Sequence, residues 1–192
     1  HCLLLFYMSP KRAASAVLDH GRPLFAVIAA LLVTLAIGSG AERVRRYEVS
    51  GLLQREHAAF LSSPRTMADY AAFQEAQFTA SSAVRTRYAL TGVSALAAMA
   101  AVFVPFCLLV LAAWDGLGRG SAVLSRDYIP ALTGLLFAWT AAHLPIALVW
   151  WAIHPPDPGL AIPLQAAGLA FFLILAAPVL ETVTGASLAH AA

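Results

Sequence analysis

Four long stretches without a charged residue alternate with polar segments along this chain: residues 23–41, 88–114, 128–156 and 158–180. A bilayer hydrocarbon core of about 30 Å is crossed by about 20 apolar residues in a helix, so each stretch is long enough to span it. Helix is the expected form, because lipid offers no partner to a free backbone N–H or C=O. None of the four carries the polar outer face of a surface helix in a soluble protein. The spans are expected at about 23–41, 88–114, 128–151 and 160–180. The first is the shortest, and Gly38 and Gly40 are expected to weaken its end.

The polar segments predict helices of a different kind. Within residues 41–87, Val44, Tyr47, Leu52, Leu53, Phe60 and Leu61 recur at roughly helical spacing, and so do Met67, Tyr70, Phe73 and Phe78. Ser62-Ser63-Pro64 separates the two runs, with Ser63 suited to a cap and Pro64 to a first turn. The segment therefore reads as two amphipathic helices outside the hydrocarbon, packed on each other or on the membrane surface. The opening HCLLLFYMSP is apolar but too short to span, and it lacks the basic leader and cleavage site of a signal peptide. Residues 10–22 read either as a short juxtamembrane helix or as a solvated basic stretch. In the helical reading Pro10 opens the first turn, Ala13, Ala14, Val17 and Leu18 share a face, and Lys11, Arg12 and Arg22 reach headgroups. The fold class expected is all-α: one polytopic membrane domain over residues 1–192, with four transmembrane helices and a two-helix extramembrane insert.

Composition strengthens this picture. Hydrophobic residues make up 60% of the chain and charged ones 11%, against about 25% charged in soluble domains. A net charge of +2 is too small to point to nucleic acid. Lys11 is the one lysine among many arginines, and with the abundant alanine it suggests a GC-rich bacterial source and hence a bacterial inner membrane. The first residue, His1, is what a fragment or a processed product would show. Lys and Arg fall on both sides of the spans, so the positive-inside rule leaves the orientation open.

Candidate chemistry is sparse. Pro105, Pro145 and Pro178 each lie in a span, where proline removes a backbone donor and bends the helix. With no charged residue near any of them, they are expected to shape packing. His143, in FAWTAAHLPIALVWW at 137–151, sits roughly midway through its span. A polar group at that depth is expected to face protein and not lipid. No second histidine lies inside another span to share a haem, and His154 is about 16 Å away along a helix. His143 is therefore expected to be a buried, neutral imidazole and a possible intramembrane polar contact, bonded to a neighbouring helix, with Thr140 or a carbonyl freed by Pro145 as partner. Cys2 and Cys107 make neither a zinc site nor a redox pair. Gly116, Gly118 and Gly120 follow no strand, so they are no phosphate loop. TGASLAH at 184–190 lacks the turn of a nucleophilic serine.

The order of elements resembles the bacterial members of the Yip family of integral membrane proteins, over about residues 9–180. Ser9-Pro10 resembles the family's opening proline, the run from Trp114 to Ser121 its Gly-rich turn, and Ala142-His143-Leu144-Pro145 its small-residue-then-proline motif. The family's usual fifth span has no counterpart in these residues, and Ala141 stands where an aromatic is common. The resemblance implies a helical membrane fold without a defined enzyme activity, and, for eukaryotic members, association with small GTPases and vesicle traffic. The expected function is thus a non-enzymatic, multi-pass scaffold or membrane-organising protein. The alternative is an accessory subunit of a larger membrane assembly, such as a transporter or energy-converting complex. No catalytic residue, cofactor or metal is expected; the expected partners are the lipid bilayer and other membrane subunits.

Overall fold

A computed structural model describes residues 2–62, 66–87, 93–114, 120–153 and 157–184. Among them every element is helical: α1 (Cys2–Met8), α2 (Pro10–His20), α3 (Pro23–Ser62), α4 (Met67–Arg87), α5 (Val93–Ala98), α6 (Val104–Trp114), α7 (Gly120–Ala152) and α8 (Ala161–Thr184). A π-helical turn, Met99–Phe103, joins α5 to α6, and a 3₁₀ turn, Pro158–Leu160, leads into α8. Four segments are long and apolar enough to cross a membrane: α3, the run Ser94–Ala113, Ser125–Ala152 and Pro158–Val183. The chain is an all-α, multi-pass membrane protein. Ser63, Pro64 and the Gly-rich turn at 115–119 lie outside the described residues, as do His1, His154 and His190.

α7 is the hub. Of its most apolar window 61% is buried in protein, against 39% for α3 and 28% for each of the other two spans. It packs chiefly on α3, α8 and α6. Glycine sets two of these approaches. A Cβ on Gly134 would lie 2.5 Å from Val179 Cγ1 of α8, and one on Gly40 would lie 2.8 Å from Trp150 Cβ. Small residues at such crossings let membrane helices approach closely, which stands in for the hydrophobic drive that lipid removes.

Gly40 corrects the reading of α3. A boundary was expected near residue 41, with a span on one side and a separate amphipathic helix on the other. Instead α3 runs unbroken for 40 residues. Its glycine serves the contact with Trp150, and the ion pairs of Glu42 with Arg45 (2.6 Å) and Arg46 (2.9 Å) brace the next turns. At 1.5 Å per residue the rod is about 60 Å long, twice a bilayer core. Its buried stripe, Ala26, Ala30, Val33, Thr34, Ile37, Gly40, Ala41 and Val44, stops at Val44. Beyond it α3 and α4 form an arm held by a row of rings: Phe60 stacks on Phe73 at 4.9 Å, with Tyr70 edge-on at 6.3 Å. Thr66 caps α4: Asp69 accepts from its backbone N–H (2.7 Å), and the Thr66 hydroxyl accepts from the Asp69 N–H (3.2 Å).

The N-terminal helices pack on protein. Phe6 of α1 is buried in the main core. In α2 the expected face is used, with Ala13, Ala14 and Val17 buried. That face meets α7 and α8, and Lys11 pairs with Glu181 at 3.4 Å.

Candidate functional site

The prolines show how this bundle treats polar backbone. Pro145 has no N–H for the carbonyl four residues back, Ala141. The Tyr7 hydroxyl donates to that oxygen from α1, 2.5 Å away. Pro105 acts one residue wider. The helix ahead of it opens to the π pattern, with the Val104 N–H bonded to Met99 O, five residues back. In that register the missing donor belongs to Ala100, and the Tyr128 hydroxyl donates to Ala100 O at 3.1 Å. Two carbonyls freed by proline are thus met by two tyrosines, and the bundle is locked at both points.

The other polar contacts join α3 to α7. Trp139 Nε1–H donates to Thr34 Oγ1 at 3.0 Å in a buried position. The Arg43 guanidinium donates to the carbonyl of Trp150 and lies 5.5 Å from the Trp151 ring centroid. A cation from one helix thereby caps the negative C-terminal end of another.

His143 falls between these two contacts, but not as the sequence suggested. Its Nδ1 lies 3.0 Å from the carbonyl oxygen of Trp139, on its own helix, not on a neighbour. Thr140 turns its hydroxyl back to Leu136 O (2.8 Å), and the carbonyl that Pro145 frees goes to Tyr7. The imidazole stacks on the Trp139 ring, centroids 4.0 Å apart and planes 23° apart. A carbonyl oxygen only accepts, so the proton of the neutral ring sits on Nδ1, and Nε2 carries the lone pair. The far edge of the ring faces Gly168 of α8, where a Cβ would come within 3.2 Å of Nε2.

His143 and Trp139 form part of the wall of an apolar cavity of about 640 Å³. α3 contributes Thr34 and Ile37, the π turn Met99, Val102 and Phe103, and α8 Gln165 and Phe172. The widened turn at Pro105 thus shapes one wall, and π turns are frequent at functional sites. Val102, Phe106, Ile162 and Leu169 also line the cavity and are largely exposed, so the mouth opens on the surface that faces lipid. Among the described residues no three His, Cys, Asp or Glu side chains gather as a metal site. The sequence singled out His143 but missed Trp139 and Thr34. The four-residue spacing of Trp139 and His143 marks a shared helix face, but nothing in the sequence places Thr34 opposite them.

No protein-family model, no curated protein and no solved structure matches this chain. Its function is read from its own residues and their geometry.

Proposed function

We propose that this chain is a non-enzymatic scaffold or membrane-organising protein of a bacterial inner membrane, resembling the Yip family. The arm formed by α3 and α4 carries this reading. It leaves Tyr47, Leu61, Tyr70 and Phe78 exposed, Phe78 at 75%, on a rod continuous with the bundle. Large apolar side chains exposed along both helices of an arm outside the hydrocarbon are suited to docking other proteins. The resemblance adds Ser9-Pro10, which opens α2, and Ala142-His143-Leu144-Pro145, which lies inside the unbroken α7.

A second reading, an accessory subunit of a larger membrane assembly, draws on the broad apolar surfaces of α6 and α8, which this chain leaves uncovered. Purification in mild detergent, with wild type beside Phe78→Asp, tests both. The scaffold reading expects exchangeable partners that are lost in Phe78→Asp while the melting temperature holds. A fixed set of subunits at constant stoichiometry, retained in Phe78→Asp, favours the second. A protein that purifies alone from native membranes overturns both.

A further inference from the structure

The cavity beside His143 combines three features that packing alone does not require. Its volume falls in the range of small-molecule sites, about 300–1,000 Å³. Its mouth, at exposed Val102 and Ile162, lies on the apolar outer surface of two spans, where lipid and not water is the expected neighbour. Its wall carries the polar side chains of Thr34, Gln165 and His143, and the imidazole is held in place. Nδ1 is committed to Trp139 O, stacking on Trp139 fixes the ring plane, and no described residue bonds Nε2. Gly168 keeps the ring edge clear where any larger residue would press on it. An acceptor in apolar surroundings favours a ligand that brings a donor and disfavours one that leaves it bare.

We propose that this cavity binds a neutral, membrane-dissolved alcohol or phenol. Its hydroxyl donates to His143 Nε2, and its apolar body lies against Met99, Phe103 and Phe172. A phospholipid acyl chain fills the same space but has no donor for the imidazole. The donor therefore distinguishes a selective site from a greasy cleft.

A matched pair of probes tests the inference: 2-naphthol and its methyl ether, 2-methoxynaphthalene. Equilibrium dialysis against the full chain in lipid nanodiscs, with empty nanodiscs subtracted, measures saturable binding. The naphthol is expected to bind about tenfold more tightly than the ether, the worth of one well-placed hydrogen bond. His143→Phe should bring the two probes level, with the loss falling on the naphthol. Val102→Trp, at the lipid-exposed mouth, should weaken both, and it decides the matter if His143→Phe fails to fold. Equal affinities in the wild type, no saturable binding, a preference that survives His143→Phe, or binding unchanged in Val102→Trp would each overturn the proposal.

Discussion

α3 lives in two environments, and the halves of this one helix are held by different physics. Up to Val44 its inward residues are buried against α7 at backbone-close range, with Gly40 on Trp150 and Thr34 bonded to Trp139. Beyond Val44 no residue of α3 is buried. The far part of its contact with α4 is a row of rings, and nearer the bundle Val84 of α4 is buried in the cluster of Val44 and Trp150, with Val49 and Leu52 against it. Hydrogen bonds follow this division only in part. In the bundle some side chains reach across helices to backbone carbonyls, as Tyr7, Tyr128 and Arg43 do, while Thr133, Thr140 and Thr182 bond carbonyls four residues back in their own helix. On the arm Ser50, Ser62, Ser81 and Ser82 bond carbonyls three residues back in their own helix. Bonds across helices occur where lipid supplies no competing partner; bonds back to the own helix form in both regions.

Perturbations away from the cluster that Val84 shares with Val44 and Trp150 should stay on their own side of Val44. Trp150→Ala should have the largest effect, since a fully buried ring leaves both its own volume and the Gly40 contact empty. A loss of about 3–5 kcal/mol, read as a large fall in melting temperature in detergent, is expected, and a variant that melts with the wild type would break the picture of α7 as hub. Gly134→Ala tests the opposite error, overpacking. With Val179 Cγ1 2.5 Å from the new Cβ, destabilisation of about 1–3 kcal/mol is expected. Tyr7→Phe and Tyr128→Phe each leave a carbonyl bare and should lower stability by about 1 kcal/mol. If both prove silent in the same melts, the proline-freed carbonyls need no partner.

The smallest effect belongs to the arm and should leave the bundle untouched. The bonds from Thr66 hold the Asp69 carboxyl below its ordinary value of 3.8. Its contribution is therefore present above that value and fades as pH falls below it towards the depressed folded value. Acid should fray the first turn of α4, and Thr66→Ala should do so at neutral pH, raising amide exchange there about fivefold. The bundle melting temperature should not move in the mutant. A shift there would show that arm and bundle unfold together.

Spans were legible in the sequence because each is a run of side chains that only lipid or protein can accept, and charge marks where the run ends. The buried face of α2 was legible for a related reason: Ala13, Ala14 and Val17 repeat at helical spacing. The unbroken α3 was not. Gly38 and Gly40 read as weak points because a glycine disfavours an isolated helix, yet what matters at Gly40 is the side chain of Trp150, more than a hundred positions away. The surroundings of His143 were hidden likewise. Its depth followed from counting residues, but its partner did not: the imidazole turns back to Trp139 O in its own helix, and Tyr7, on a helix too short to span, takes the carbonyl that Pro145 frees.

The continuity of α3 has a mechanical consequence. A rod without a joint is a lever, and the seam with α7 is its fulcrum. The stretch past Val44 extends about 27 Å at helical rise, so a tilt of roughly 10° inside the bundle swings the far end by about 5 Å. A displacement of α3 at the cavity, too small to open a gap between helices, would thus arrive at Phe60 and Tyr70 magnified. A motion that begins in the bilayer would be read out in water, with no hinge to absorb it.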